Sequence, residues 1–292
     1  MTQLIWDKSG ERTYETGVDH GVLYLPTDGV YDTGVAWYGL TTVTESPSGA
    51  ESNKQYADNM VYLNLLSVEQ FGGTIEAFTY PDEWAECDGS GVPTEGVSIG
   101  QQPRKTFGMS YRTKVGTDQD PEAGYKIHLV YGALAAPSEK AYGTVNDSPE
   151  AMGLSWDITT TPVDVGVIDG KQYKPTASLV VESLKVDATA LATLEQTLYG
   201  TAGTDPRLPL PADVVAMFSG TVTQVTPTAP TYVSGTHTIT IPSVTGVEYY
   251  INNTLQVAGP VVITEDTIVN ALPARGYKFP AVVDDDWFYD YV

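Results

Sequence analysis

The sequence is poor in the residues on which many catalytic and metal sites depend. It contains one cysteine, Cys87, and three histidines among 292 residues. A single cysteine excludes an intrachain disulfide and a cysteine-rich metal site. His20, His128 and His237 lie far apart in the sequence, without partners at metal-ligand spacing, so we expect structural or surface roles for them.

Catalytic motifs are also lacking. Gly96-Val97-Ser98-Ile99-Gly100 matches the Gly-x-Ser-x-Gly pattern, but no helix is predicted after it, as a nucleophile elbow requires; there is no glycine-rich phosphate loop and no His-Glu-x-x-His pair. Cys87 lies between Glu86 and Asp88, whose charges would raise the pKa of a thiol rather than activate it. A glycosidase would need two positioned carboxylates, and no motif selects such a pair. We therefore expect a protein that is not an enzyme and that has no cofactor.

Two clusters of acidic residues have the carboxylates that a calcium ion could bind. Asp118, Asp120 and Glu122 alternate within an acidic turn, as some ligands of a calcium loop do, but the distal Glu of such a loop is missing. A second cluster is the run Asp284-Asp285-Asp286. We interpret both clusters as solvated surface and predict no metal ion.

Basic residues and long apolar runs are scarce. With 37 acidic and 15 basic residues, the formal net charge is −22, and such a surface repels nucleic acids and anionic membranes. No stretch approaches the 18 or more apolar residues of a membrane span. The N-terminal stretch is polar and lacks the apolar core of a secretory signal, so we expect synthesis and assembly in a cytoplasm.

The residues that are abundant favour strands and turns. The sequence has 28 Gly, 19 Pro and 19 Tyr, and its 41% hydrophobic content is ample for one or two domains. Ser46–Asn59 is a polar segment that we predict to be a loop. Alternating patterns predict a mainly β fold with strands at Val35–Glu45, Met60–Leu66, Thr74–Tyr80, Lys105–Val115, Lys126–Ala133, Gly153–Thr161 and Ala177–Val186.

The period of the pattern changes from 2 to 3.6 after Val186. Asp187 is a good N-cap, and Leu191, Leu194 and Leu198 form the apolar stripe of one short helix over about 188–199. We expect this stripe to pack the helix on a sheet. Gly200 ends the helix. Three prolines, Pro206, Pro209 and Pro211, then break the chain before a short apolar run, Val214–Phe218.

These patterns divide the chain into four parts. Residues 1–34 are rich in glycine, and we predict an extended arm with one short strand at Gly21–Leu25. Residues 35–222 form the large β domain, and 223–232 form a linker. Residues 233–292 are predicted to be a small immunoglobulin-like all-β domain, with Asn252-Asn253 as a hairpin turn. Its predicted strands are Thr236–Ile241, Val247–Ile251, Gln256–Val262, Thr267–Ala271 and Trp287–Tyr291.

Several segments resemble one family. LEQTLYG (194–200) and PRLPLP (206–211) resemble the end of the tube domain in major tail proteins of bacteriophages with long, non-contractile tails. QYADNMVY (55–62) and GTIEAF (73–78) are similar to the segments that follow the long loop of that domain. In the C-terminal part, HTITIP, GVEYY, ITEDT and the Gly276-Tyr277-x-Phe279 pattern resemble the immunoglobulin-like decorations of some family members.

The resemblance implies a structural virion protein, or tail tube protein, of siphovirus type. Its fold would be an antiparallel β-sandwich or barrel of the tail-tube type, with the helix outside the sheet. Six subunits would form a ring, and stacked rings would form the phage tail around a lumen. The implied partners are other copies of the chain, the tape-measure protein in the lumen, viral DNA in transit without specific binding, and the tail terminator and baseplate or distal tail proteins. Synthesis would occur in the bacterial host cytoplasm.

The polar loop Ser46–Asn59 and the N-terminal arm are the candidates for reaching the next ring, and six residues are the candidates for assembly contacts. They lie in or near the polar loop and include one aromatic residue further along: Ser46, Lys54, Tyr56, Asp58, Tyr62 and Trp84. An acidic lining of the lumen would keep DNA sliding, because it repels phosphates. The alternative function is that of a carbohydrate-binding or adhesin-like β protein, with the small domain as the binder. Separately, Tyr56, Tyr80 and Trp84 could line a sugar site, although such aromatic residues are more often core or subunit-interface residues.

Overall fold

The computed structural model describes residues 12–145, 147–148, 150–168, 170–219, 223–252, 254–274, 277–280 and 282–291. It is mainly β with antiparallel sheets, so the predicted fold class is confirmed. Two α-helices are present where the sequence predicted one. They are α1 (Ala188–Tyr199) and α2 (Pro211–Phe218).

Residues 12–182 contain fourteen strands, numbered here in chain order. They are β1 (Thr13–Thr27), β2 (Val30–Trp37), β3 (Leu40–Glu45), β4 (Ser52–Ala57), β5 (Met60–Leu66), β6 (Gly72–Ala77), β7 (Gly91–Thr94), β8 (Val97–Ile99), β9 (Phe107–Thr117), β10 (Gly124–Ala135), β11 (Leu154–Thr160), β12 (Val167–Ile168), β13 (Lys171–Gln172) and β14 (Ser178–Glu182).

Eight of these strands form the main sheet, in the order β2-β1-β9-β10-β11-β6-β3, with β14 also paired to β10. The pairs are antiparallel, and neighbours in the sheet are often distant in sequence; β1, for example, places Leu23 opposite Met109 of β9. The sheet curls so that β3, at one end of this order, approaches β1 near the other end. A Cβ atom on Gly21 of β1 would lie 2.2 Å from the Leu40 side chain of β3, so the two strands approach each other closely at this glycine.

The two faces of the curled sheet bury different clusters. The inner face holds a cluster that includes Leu23, Trp37, Met109 and Trp156. The opposite face of the main sheet buries Tyr24 and other side chains under the helices. Adjacent residues of one strand therefore enter opposite cores, as the pleat of a β-strand requires.

Helix α1 begins and ends where its sequence predicts. The Asp187 side chain accepts hydrogen bonds from the backbone N–H groups of Thr189 and Ala190, at 3.0 and 2.9 Å. Gly200 follows the helix with φ of +77°. The stripe of Leu191, Leu194 and Leu198 is buried in the same cluster as Tyr24, Ile127 and Tyr131 of the sheet.

Tyrosine hydroxyls tie the helical region to the sheet. Tyr24 donates to the carbonyl oxygen of Leu198 at 2.8 Å, and Tyr131 donates to that of Pro209 at 2.9 Å. Tyr125 donates to Glu195 Oε1 at 2.7 Å. Each bond lets a large aromatic side chain fill the interface without leaving its hydroxyl unpaired.

The C-terminal part forms a small β-sandwich. Its strands are β15 (Thr223–Gln224), β16 (Thr231–Val233), β17 (Thr238–Ile241), β18 (Val247–Ile251), β19 (Thr254–Gln256), β20 (Gly259–Val262), β21 (Thr267–Pro273), β22 (Tyr277–Lys278) and β23 (Asp286–Tyr289). One sheet has the order β16-β17-β20 and the other β19-β18-β21-β23. Ile239, Tyr249 and Val269 lie in the buried cluster of this sandwich. Asn252 has φ of +48°, and its predicted turn partner lies outside the described residues.

The prediction of an N-terminal arm over residues 1–34 is wrong for its described part beyond Arg12. The fifteen-residue strand β1 lies inside the main sheet, between β2 and β9. Its register shifts between Thr16 and Asp19 and again between Asp19 and Val22. These bulges, together with burial of its centre on both faces, remove the simple alternation that identifies a strand from sequence. Residues 1–11 of the predicted arm lie outside the described residues.

The predicted linker over 223–232 is also wrong in its described part, because that segment belongs to the small sandwich. The Tyr249 hydroxyl accepts from the N–H of Thr228 at 2.9 Å and donates to its carbonyl oxygen at 2.8 Å. Tyr289 donates to the carbonyl oxygen of Pro230 at 2.6 Å. These hydroxyls satisfy backbone groups that a proline-rich segment cannot pair within itself.

Candidate assembly surface

In the described part of the large domain, a β-hairpin made of β4 and β5 exposes a cluster of apolar side chains. The two strands pair from Ser52 opposite Leu66 to Ala57 opposite Met60. Asp58 and Asn59 form the turn with φ of +51° and +63°, the backbone geometry of a two-residue hairpin turn. The prediction that Ser46–Asn59 is a loop is therefore wrong for the residues of β4.

The hairpin continues the main sheet outward. Glu45 of β3 pairs with Gly73 of β6. Beyond that pair, hydrogen bonds join Ser46 N–H to the Gly72 carbonyl at 2.7 Å, and Ser48 N–H to the Gln70 carbonyl at 2.8 Å. The chain segments between β3 and β4 and between β5 and β6 thus form a two-stranded arm, which we call the hairpin arm (residues 46–72). Twelve residues separate Glu45 from the turn, which allows a reach of at most about 40 Å.

Every residue of β4 and β5 is exposed in the single chain. The exposed set includes seven large apolar side chains: Tyr56, Met60, Val61, Tyr62, Leu63, Leu65 and Leu66. They lie on both faces of the hairpin. Along β5, Leu63 and Leu65 are on one face and Leu66 is on the other, and Tyr62 is the extra, unpaired residue at the bulge. A hairpin of two strands is marginally stable in water by itself, and clustered exposed apolar residues mark contact sites. The hairpin of β4 and β5 therefore has the features of a contact surface.

The hairpin is also electrically distinct from the rest of the chain. Between Ser52 and Leu66 its only charged residues are Lys54 and Asp58, which cancel, whereas the chain carries −22. Two copies of such an acidic protein approach most easily through surface that adds no negative charge. Charge and exposed apolar area therefore indicate the same element.

A polar cluster fixes the root of the hairpin arm. The Tyr111 hydroxyl donates to Glu45 Oε1 at 2.6 Å, and His128 Nδ1 lies 3.2 Å from the same oxygen. The His128 ring stacks on Tyr111 at 4.6 Å between centroids, and its Nε2 lies 3.1 Å from the Thr113 hydroxyl. Hydrogen bonding from His128, then from Tyr111, holds the pKa of Glu45 below its usual value. Burial and the nearby carboxylate raise the pKa of Tyr111.

The six residues predicted for assembly fall into three groups. Lys54, Tyr56, Asp58 and Tyr62 lie on the hairpin, and Ser46 lies at its root. Met60, Val61, Leu63, Leu65 and Leu66 are absent from the predicted assembly residues, because the pattern of a strand does not show which of its faces the rest of the chain covers. The signal that could have found them is the pair Asp58-Asn59, a turn flanked by two segments of strand-forming residues.

Trp84 is wrong as an assembly residue. It lies in a short 3₁₀-helix, Asp82–Glu86, and is fully buried. Its ring is 4.6 Å from that of Trp37, 4.9 Å from Phe107 and 5.3 Å from Trp156. The sequence gives no sign of this burial, because the neighbouring residues are charged. A buried Trp84 also cannot line a sugar site with Tyr56 and Tyr80.

The remaining candidates for chemistry are engaged in structural contacts. Burial, followed by the charge of Glu86, raises the pKa of the Cys87 thiol to about 12. In the acidic turn, Asp120 Oδ1 accepts from the N–H of Glu122 at 2.9 Å, and Glu122 pairs with Lys114 at 3.3 Å. Among the described residues, no group of three or more His, Cys, Asp or Glu side chains is arranged to hold a metal ion. No helix in the described ranges is long and apolar enough to cross a membrane.

No family model matches the sequence, and no curated protein matches it significantly.

Proposed function

We propose that this chain is a structural subunit that assembles with copies of itself into rings, and that stacked rings form the tail tube of a phage. The observation that carries the proposal is the hairpin of β4 and β5, which exposes apolar residues on both faces and carries no net charge between Ser52 and Leu66. The resemblance of the segments around 55–62, 73–78 and 194–211 supports the hexameric form of the ring. The chain acts by assembling, and the proposal includes no catalytic step.

The open part of the main sheet supports a role as the wall of a channel. Strands β3, β6 and β11 contain no Lys or Arg. Their outward side chains are hydroxyls and two carboxylates, with Thr74 donating to Asp157 Oδ1 at 2.7 Å and Glu76 exposed beside them. Such a surface offers phosphates no cation to bind. We propose that this face lines the lumen through which DNA passes.

Charge repulsion sets a condition on assembly. Six copies at −22 each give −132 per ring, so rings repel one another unless contacts are made by apolar or locally paired surface. The hairpin arm supplies apolar surface and the pair Lys54 and Asp58. We propose that it reaches the neighbouring ring, while the small sandwich is carried outside the tube.

The test replaces three exposed hairpin residues, Tyr56→Ser, Leu63→Ser and Leu65→Ser, in one variant. The expected result is a folded protein with unchanged circular dichroism that stays a single subunit or a single ring in sedimentation velocity, because the apolar contact between rings is lost. The matched control replaces three exposed valines of the small sandwich, Val233, Val257 and Val262, by Ser and should assemble normally. A hairpin variant that forms the same assemblies as the unmodified chain would show that the arm is not the contact.

A further inference from the structure

The small sandwich presents one apolar sheet face to solvent. On the sheet β19-β18-β21-β23, alternate residues point away from the buried cluster, and we call this surface the outer face. Ile268 lies opposite Phe288, and Tyr250 lies opposite both Leu255 and Asn270. Ile268, Phe288 and Leu255 are 50%, 63% and 55% exposed. The register makes these side chains cross-strand neighbours, so they form one continuous patch rather than scattered residues.

Carboxylates surround this patch. Asp286 lies opposite Asn270, and Glu248 lies opposite Leu272, whose side chain also belongs to the patch. At the other end, the residues before β21 and after β23 are Asp266 and Asp290. No Lys or Arg occurs within strands β18, β19, β21 or β23. The outer face is therefore an apolar centre with a wholly acidic border.

No Lys or Arg among the described residues forms a salt bridge with the border carboxylates, although Glu248 accepts from the Tyr250 hydroxyl at 2.7 Å and Asp266 from the N–H of Tyr291 at 2.9 Å. The carboxyl groups of Asp266 and Asp290 interact directly, and desolvation followed by this contact raises the pKa of Asp290. At the centre of the face, Asn270 Oδ1 has no hydrogen-bond partner among the described residues. Rotation of that carboxamide toward a donor on a docked molecule would satisfy it. A cation placed at the border would relieve the repulsion between the two carboxylates.

We propose that the outer face docks a protein segment that alternates apolar and basic side chains. The centre would bury the apolar residues, and the four border carboxylates would face the Lys or Arg residues. The same charges argue against a second copy of this chain as the occupant, because two outer faces would bring like-charged borders together. They likewise disfavour nucleic acid and anionic membranes. This inference concerns the small sandwich alone and does not rest on the proposed tube.

The test titrates the full chain into a fluorescently labelled ten-residue peptide of alternating Leu and Lys and follows anisotropy. Two comparison peptides of equal length alternate Leu with Glu and Ser with Lys. We expect the Leu–Lys peptide to bind with an affinity that falls as salt is raised. The Ser–Lys peptide should bind at least about tenfold more weakly because it lacks apolar contacts, and the Leu–Glu peptide should not bind.

Matched variants locate the binding. Ile268→Ser with Phe288→Ser should weaken the Leu–Lys peptide about tenfold or more. Val233→Ser with Val262→Ser, two exposed valines on the opposite sheet, should leave it unchanged. Circular dichroism checks that both variants fold.

A second pair of variants tests the border. Asp286→Asn with Asp290→Asn should lower the affinity and its salt dependence, whereas Asp32→Asn with Asp205→Asn, two exposed acids of the large domain, should not. Equal losses in the test and control variants would overturn the proposal, since they would indicate diffuse attraction to an acidic protein. Displacement of the peptide by neutral dextran at the outer face, or binding of dextran with no binding of the peptide, would overturn it in favour of a glycan.

Discussion

At the scale of single residues, one buried carboxylate organises the region around the tryptophan cluster. Asp88 Oδ2 accepts from Lys140 Nζ at 2.7 Å, and its Oδ1 accepts from Trp156 Nε1 at 3.1 Å. Arg104 lies 3.7 Å from Asp88 and also donates to the carbonyl oxygen of Ala135 at 3.3 Å. A carboxylate that is only 9% exposed thus neutralises two cations and satisfies an indole.

Asp88→Asn should destabilise the large domain by about 3 kcal/mol, because it leaves two partly buried cations without their counter-charge. Urea unfolding followed by tryptophan fluorescence measures the loss. The control is Asp205→Asn, an exposed acid, which should change the free energy of unfolding by less than about 0.5 kcal/mol. Equal stability of Asp88→Asn and the unmodified chain would contradict the buried ion network.

Glu45 predicts a dependence of stability on pH. Its pKa in the folded state lies below the ordinary value of 4.5, so its carboxylate stabilises the fold above that pH. The contribution is lost as the pH falls through the lower, folded-state pKa. Glu45→Gln should therefore lower the Tm at pH 7 and reduce the drop in Tm between pH 7 and pH 3. Thermal scans at a series of pH values check this, with the exposed Glu76→Gln as the control; an unaltered drop in Glu45→Gln would count against the cluster at the arm root.

At the scale of elements, helix α1 joins sequence and packing most directly. Leu194 of this helix has no exposed surface, and its side chain is buried in the cluster that also holds Tyr24 and Ile127 of the sheet. Leu194→Ala should cost about 3 kcal/mol, the sum of lost burial and the cavity left behind. Guanidinium unfolding measures it, and Leu255→Ala, at an exposed position, should have little effect. A cost below about 1 kcal/mol for Leu194→Ala would mean that the helix is not packed as described.

Elements were predictable where their signals are local. The helix over 188–199 follows from its N-cap, its leucine stripe and Gly200, and the strand Met60–Leu66 follows from alternation. Strand β1 was not predictable as a sheet centre, because its bulges break the period and its partner β9 is distant in sequence. Helix α2 is absent from the sequence prediction, which interprets the three prolines as ending regular structure. Pro211 in fact lies in the first turn of α2, where its missing N–H has no helical partner to lose.

The same limit applies to the candidate assembly surface. Four of the six residues named from sequence lie on the hairpin, but the alternating pattern of β5 does not reveal that both of its faces are exposed. Exposure depends on what the rest of the chain covers. Trp84 is the opposite case of a buried residue in a charged segment. Its ring packs against those of Trp37 and Trp156, which are distant in sequence.

At the scale of the whole molecule, the chain combines a net negative charge with an apolar hairpin, Ser52–Leu66, that carries no net charge. The charge of −22 keeps copies apart, and the hairpin arm offers the contact that could bring them together. The balance depends on ionic strength, because salt shortens the range of repulsion to about 8 Å at physiological concentration and leaves apolar contacts intact. Assembly should therefore be favoured by salt, unlike an association that depends on ion pairs.

Negative-stain electron microscopy of the purified chain across a series of salt concentrations tests the central claim most directly. The account predicts rings or tubes with a central hole, more numerous and longer as salt rises, and their absence in the variant Tyr56→Ser, Leu63→Ser, Leu65→Ser. A population that stays monomeric at high protein concentration under every salt condition would contradict it.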